Sequence, residues 1–94
     1  MILRVTEDAA DDLKTIRDYI GDADGTAAER MLEHVGHVIR LLAKRPGLGT
    51  HGIVEATWEM PVPRTHYVIV YRVDLAELDE LVILRVFHTA QNRE

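Results

Sequence analysis

The order of the predicted elements indicates an α+β domain, β-α-α-β-β-β, with an antiparallel sheet and a two-helix hairpin packed on one of its faces. Two amphipathic helical segments follow one another in the first half of the chain, joined by a short connector. Segments rich in Val, Ile and Tyr, which favour strands, occupy the second half. At 94 residues, with no linker or repeat, the chain is expected to form a single domain over residues 1–94.

The two helices are predicted near residues 6–21 and 26–45. Thr6 is suited to cap the first helix, because its hydroxyl can accept an orphan backbone N–H. Thr26 and Glu29 match a capping box at the start of the second helix. Helices this close in sequence should pack antiparallel. Their contacts are predicted from apolar residues at helical spacing, namely Leu13, Ile16, Ile20, Met31, Val35, Val38 and Leu42.

Four strands are predicted, at residues 2–5, 53–60, 65–73 and 80–88. The last two are apolar at their centres on both sets of alternating positions, so both faces of the sheet should be apolar there. Because the helices can cover only one face, the other face is expected to need a partner or a ligand. Arg72 and Arg85 interrupt these strands and His88 ends the second, which places cationic groups on the sheet.

Charge and composition exclude several classes of function. The formal net charge is −5, which opposes the attraction to phosphates that nucleic-acid binding requires, so direct DNA binding is not expected. The chain has no cysteine and no serine, which excludes thiol and serine nucleophiles. The longest apolar stretch, residues 67–71, is too short to span a bilayer, and the N-terminus lacks a signal-peptide pattern. We therefore expect a cytoplasmic protein that does not associate with membranes.

Neither a metal nor a cofactor is predicted. His34 and His37 are three residues apart on a predicted helix, but no third ligand stands at a recognisable spacing. The glycines at 47, 49 and 52 lack the following helix and the Lys-Ser/Thr pair of a phosphate-binding loop. We interpret the histidines as solvated surface residues.

A set of basic side chains remains that could stabilise a phosphate transition state or move protons, as in metal-free ribonucleases. The same side chains could pair with acidic groups of a partner, or simply be solvated. In an acidic chain, these two interpretations are favoured over catalysis. The set comprises Arg45, Arg64, His66, Arg72, Arg85, His88 and Arg93.

Nearly the whole chain resembles the RelE/ParE toxin superfamily of bacterial type II toxin–antitoxin modules. The segments that carry the resemblance are residues 5–9 (Val-Thr-Glu-Asp-Ala), 13–20, 61–73 (Pro-Val-Pro-Arg-Thr-His-Tyr-Val-Ile-Val-Tyr-Arg-Val) and 83–93. The resemblance implies a compact toxin that inhibits growth, in the manner of plasmid stabilisation systems. It also implies a cognate antitoxin whose extended or helical segment covers hydrophobic surface of the toxin.

The superfamily divides by target. RelE-like members cut messenger RNA at the ribosome, whereas ParE-like members inhibit DNA gyrase and have no ribonuclease activity. Ribonuclease members typically carry an arginine early in the third strand, and Val68 stands at the matching position here. The Tyr-Arg-Val and Leu-Arg-Val-Phe-His segments are more ParE-like. We therefore interpret the chain as a ParE-like toxin that binds a protein target such as DNA gyrase.

Two alternatives stay open. One is a RelE-like, metal-independent endoribonuclease acting on ribosome-bound messenger RNA, with candidate catalytic residues Arg64, His66, His88 and Arg93. The other is a toxin-fold binding module without toxicity. Under the favoured interpretation, the residues predicted to bind antitoxin or target are Tyr67, Val68, Val70, Arg72, Arg85 and His88.

Overall fold

The computed structural model describes residues 1–90, and Arg93 lies outside them. The strands are β1 (Ile2–Val5), β2 (Thr50–His51), β3 (Trp58–Pro61), β4 (Tyr67–Asp74) and β5 (Glu80–His88). The helices are α1 (Glu7–Gly21) and α2 (Gly25–Lys44), and a 3-10 turn spans Pro46–Leu48. The predicted α+β architecture, with a helical hairpin on one face of the sheet, is confirmed.

The sheet has five strands in the order β1-β5-β4-β3-β2. All neighbours pair antiparallel except β1 and β5, which are parallel, with Ile2 opposite Glu80. The predicted antiparallel sheet is therefore confirmed for β2, β3, β4 and β5, whereas β1 departs from it. Short connections join β3 to β4 and β4 to β5 and enforce antiparallel pairing. No connection joins β1 directly to β5, because the helices after β1 lead to β2 at the opposite edge, so the direction of this pair is not set by a turn.

The strand predicted at residues 53–60 is wrong over its first part. Residues 53–57 form a bend and a turn, and the strand itself is Trp58–Pro61, preceded by the short β2, which was not among the predicted strands. The Gly52 N–H donates to the Thr57 carbonyl at 2.8 Å, which closes a hairpin between β2 and β3. The apolar residues Ile53 and Val54 are consequently exposed at the tip of this hairpin.

One predicted helix cap is confirmed and the other is wrong. The Thr6 hydroxyl accepts a hydrogen bond from the Ala9 N–H at 3.1 Å, as predicted. The second helix begins at Gly25, and Asp24 caps it by accepting from the N–H groups of Thr26 and Ala27 at 3.0 and 3.2 Å. A carboxylate interacts more favourably than a hydroxyl with the positive end of the helix dipole, and this accounts for the earlier start.

The core lies between the helical hairpin and one face of the sheet, called here the helix-covered face. All seven predicted helix contacts are confirmed. Ile16, Val35, Val38 and Leu42 are buried in the core, while Leu13, Ile20 and Met31 are partly buried against it. From the sheet, the core receives Ile69, Tyr71, Leu81, Ile83 and Val86. None of the helices in residues 1–90 is long and apolar enough to cross a membrane.

Candidate partner-binding site

A groove of about 370 Å³ lies between α1 and the end of β5. It exists because β1 stops at Val5, where the Thr6 N–H bonds the Ile83 carbonyl at 3.0 Å, so β5 continues without a strand neighbour on that side. Its walls combine apolar, aromatic and polar side chains. The lining residues are Asp12, Thr15, Ile16, Tyr19, Tyr67, Val86, His88 and Ala90.

Asp12 of α1 takes the place of a neighbouring strand at this edge. Its carboxylate accepts the Val86 backbone N–H at 2.9 Å and forms a bidentate pair with Arg85, at 2.7 and 2.9 Å. The hydrogen bonds that Arg85 donates to Asp12, followed by the negative charge of Asp12, raise the pKa of Arg85 above its usual value. Arg85 is thus held against α1 rather than presented as an unpaired cation.

A β-bulge gives Arg85 this position. Val70 is opposite Arg85, whereas Tyr71 is opposite Ile83, so Leu84 is the additional residue on β5. Before the bulge, Leu81 and Ile83 enter the core, and after it Val86 does. Strict alternation would have placed the arginine in the core instead, so the bulge redirects it toward the edge of the sheet.

Two histidines and a tyrosine meet at the open end of the groove. The rings of Tyr67 and His88 are edge to face at 5.3 Å, and those of His66 and His88 are 5.6 Å apart. The Ala90 N–H donates to Nδ1 of His88 at 3.1 Å, so this nitrogen acts as an acceptor. Burial, followed by repulsion from Tyr19, raises the pKa of the Tyr67 hydroxyl above its usual value.

The opposite face of the sheet, called here the helix-free face, carries Val68, Val70 and Arg72. Its apolar residues are less accessible than the sequence predicts, since Val68, Val82 and Phe87 are only 6%, 0% and 8% exposed. These three side chains are thus covered in the structure, and a partner for this face stays a prediction. Arg4 and Arg72 lie on either side of Val82 in the register, where their aliphatic stems flank it.

Glu80 joins three strands on the helix-free face. Its carboxylate lies 3.5 Å from Arg4 of β1 and 3.9 Å from Arg72 of β4. Glu80 is only 7% exposed, so this charge is kept inside the protein by the two guanidinium groups. Arg72, like Arg85, therefore already has a carboxylate partner within the chain.

The predicted site residues are thus brought together only in part. Tyr67 and His88 share the groove, whereas Val68, Val70 and Arg72 lie on the helix-free face. Among the nuclease candidates, His66 and His88 are adjacent, and Arg64 stands on the turn that precedes His66. Arg93 lies outside the described residues. The functional roles of all these residues stay predictions.

The contribution of α1 was missed by the sequence reasoning. Asp12, Ile16 and Tyr19 follow spacings of four and three, a second helical stripe that shares Ile16 with the core stripe. Tyr19 is 77% exposed, an unusual position for an aromatic side chain on a charged helix surface. Such a stripe is a signal that could have found the groove. Within residues 1–90, no group of three or more His, Asp or Glu side chains is placed to hold a metal ion.

Similar proteins support one family. The family described as ParE toxin of type II toxin-antitoxin system, parDE, matches residues 3–93. The chain therefore belongs to the ParE toxin family. No curated protein matches the chain in sequence.

Solved structures share this fold. The chromosomal ParDE toxin–antitoxin system from P. aeruginosa aligns with a TM-score of 0.82 and 24% identity, covering 94% of this chain and 95% of that one. The toxin–antitoxin complex RelBE2 from Mycobacterium tuberculosis aligns with a TM-score of 0.67 and 27% identity, covering 93% of this chain and 95% of that one. The YoeB/ParE toxin from Agrobacterium tumefaciens aligns with a TM-score of 0.63 and 23% identity, covering 94% of this chain and 98% of that one.

Proposed function

We propose that this ParE-family toxin is neutralised by a cognate antitoxin and inhibits growth by binding a protein target such as DNA gyrase, not by cutting RNA. The observation that carries the proposal is the state of the strand cations. Arg72 is paired with Glu80 and Arg85 with Asp12. Val68, where the resemblance would place a catalytic arginine, is an apolar side chain only 6% exposed. Phosphate transition states need preorganised cations, and these strands present none unpaired within residues 1–90.

The groove beside α1 supports the antitoxin part of the proposal. Ile16, Tyr19 and Tyr67 form an apolar and aromatic lining, and Tyr19 is largely exposed in the isolated chain. Two of the similar structures are described as ParDE and RelBE2 toxin–antitoxin assemblies. We expect the antitoxin to place an apolar segment in this groove, within an interface that buries at least about 1,200 Å² in total.

Co-expression tests this part. The chain induced alone should arrest growth, and the reading frame beside it should restore growth and co-purify with the chain. Tyr19→Glu should weaken the complex, because it places a charge in an apolar contact without disturbing the core. Leu75→Glu is the matched control, since Leu75 is 69% exposed and does not line the groove. Failure of the neighbouring product either to rescue growth or to bind would end the antitoxin proposal.

A supercoiling assay tests the target. Purified chain should inhibit DNA gyrase acting on relaxed plasmid, and addition of the antitoxin should restore supercoiling. Cells expressing the chain should show gyrase-dependent DNA damage. Full gyrase activity at saturating toxin, in a preparation that still binds antitoxin, would exclude gyrase as the target.

The ribonuclease alternative has one observation in its favour. The His66 and His88 rings are 5.6 Å apart at an accessible end of the sheet, close enough for two imidazoles to act on one substrate. The acidic net charge of −5 opposes approach to ribosomal RNA. A ribonuclease function is therefore less favoured than binding of a protein target.

A further inference from the structure

Arg64 has a backbone conformation that arginine rarely adopts. Its φ angle is 65°, in the left-handed region, where a Cβ atom crowds the following carbonyl and glycine is the usual residue. It stands in the connection between β3 and β4. Strained residues of this kind persist when the surrounding structure determines their conformation, and they cluster at functional sites.

The turn around Arg64 is fixed on both sides. The buried Val62 donates its N–H to the Tyr67 carbonyl at 2.9 Å. The Thr65 hydroxyl donates to the Val62 carbonyl at 2.9 Å and accepts from the Tyr67 N–H at 3.0 Å. From α2, Nε2 of His34 lies 2.7 Å from the Pro63 carbonyl oxygen. These contacts hold the backbone, so Arg64 projects from a rigid support.

The Arg64 side chain differs from the strand arginines. It is exposed, and no residue within 1–90 forms an ion pair or hydrogen bond with its guanidinium. Contacts within the described part of the chain therefore do not account for an arginine at a position that favours glycine. The fixed turn means that binding a partner at Arg64 need not order the backbone, so the entropy lost is that of the side chain alone.

We infer that Arg64 is a specificity-determining contact for the protein target of the toxin, where it pairs with a carboxylate of an acidic segment. This inference rests on the proposed function. The planar guanidinium matches a carboxylate with two parallel hydrogen bonds. A nucleic acid fits less well, because it carries a charge at every phosphate and is repelled by the net charge of −5 more strongly than a segment with a few carboxylates. Arg64 does not line the groove proposed for the antitoxin, and we therefore assign the contact to the target.

Three substitutions at Arg64 separate the effect of losing the guanidinium from any effect on the stability of the fold. Arg64→Gly removes the charge and relieves the backbone, so its unfolding midpoint in urea should equal or exceed that of the wild type. Arg64→Gln removes the charge and retains the backbone strain. Both should raise the toxin level needed for half-maximal growth arrest by about 10-fold or more, as expected for an arginine at the centre of an interface. Arg64→Lys should retain part of the toxicity, because the lysine ammonium keeps the positive charge but lacks the planar guanidinium that forms two parallel hydrogen bonds.

Two substitutions at other positions serve as controls, one for the relief of backbone strain and one for the loss of charge. Ala56 also has a left-handed φ, 63°, so Ala56→Gly relieves the same kind of strain in the β2–β3 hairpin. Arg30 is exposed on α2, so Arg30→Gln makes the same change in charge away from the turn. Both variants should arrest growth at the wild-type level. Toxin levels are measured by immunoblot, and antitoxin binding by co-purification.

The outcomes distinguish this inference from the proposed function. If the wild type arrests growth and is rescued by antitoxin, but Arg64→Gly is equally toxic, the role of Arg64 is overturned and the proposed function stands. Loss of antitoxin binding in the Arg64 variants would also overturn it, as would loss of messenger-RNA cleavage. A wild-type chain that does not arrest growth would overturn both. Reduced toxicity with intact antitoxin binding is the expected result.

Discussion

On the helix-covered face, Ile69 and Leu81 are fully buried beneath α1 and α2, while on the helix-free face Val82 is equally buried without either helix above it. The first face is closed by apolar packing. On the second face, Val82 lies between two arginines whose charges meet at Glu80. The comparison shows that apolar strand positions on both faces do not by themselves imply a missing partner. The edge groove, where β1 ends early, lies open between α1 and β5.

The largest expected effect belongs to the helix-covered face. Leu42 is fully buried in the core, so Leu42→Ala removes packed methyl groups and leaves a cavity, at a cost of about 2–5 kcal/mol in the free energy of unfolding. Urea denaturation measures this loss. Leu75→Ala, at a 69% exposed position, should change stability by less than about 0.5 kcal/mol. Equal losses in the two variants would contradict the assignment of the core.

The second largest loss of stability is expected at a polar contact on the helix-covered face. The buried Tyr71 hydroxyl donates to the Pro46 carbonyl at 2.7 Å and accepts from the Gly49 N–H at 2.9 Å. Tyr71→Phe leaves both backbone groups without this partner, so we expect a loss of about 1–3 kcal/mol. Tyr19→Phe is the control, because the Tyr19 side chain is largely exposed. A Tyr71→Phe protein as stable as the wild type would show that these hydrogen bonds add nothing.

The same tyrosine predicts how stability depends on alkaline pH. Burial raises the pKa of Tyr71, opposed in part by the Gly49 hydrogen bond, so the folded state keeps a proton that the unfolded state releases near pH 10. Stability is therefore fully present below about pH 10 and is lost as the pH rises toward the folded pKa. Tyr71→Phe should flatten this decline in urea unfolding. Some decline should remain, because the pKa of Tyr67 is raised too.

The smallest effect is expected on the helix-free face. Glu80→Gln removes the charge that Arg4 and Arg72 share, but both guanidinium groups are partly exposed and remain solvated. We expect a loss of about 1 kcal/mol, which shrinks as salt screens the pair. Glu55→Gln at an exposed position is the control. A loss as large as that of Leu42→Ala would mean that charge pairing, not apolar packing, dominates both faces.

The sequence predicted the helices and β5 well because their signals are local. Spacings of three and four residues located the core stripe of both helices, and β5 has the predicted bounds, Glu80–His88. The parallel pairing of β1 was missed because its neighbour, β5, lies at the other end of the chain and no turn between them indicates a direction. Residues 53–57 have strand-forming composition, yet the hairpin closure between Gly52 and Thr57 overrides it.

The candidate site was less predictable, because it depends on contacts between distant parts of the chain. Arg85 was named as a binding residue, but its partner Asp12 is 73 positions away, and the bulge at Leu84 has no clear sequence signal. The left-handed conformation of Arg64 likewise follows from the turn that surrounds it. His66 and His88 were both proposed from sequence, and only the pairing of β4 with β5 brings them together.

Primer extension on messenger RNA after induction tests most directly whether this toxin acts by binding and not by cleavage. Wild type, His66→Ala and His88→Ala are compared in cultures where the wild type arrests growth. We predict that transcripts stay intact in all three cultures. Cuts positioned within codons in the wild-type culture, reduced by about 10²–10⁴ in the His88 variant, would contradict the account and establish a ribonuclease.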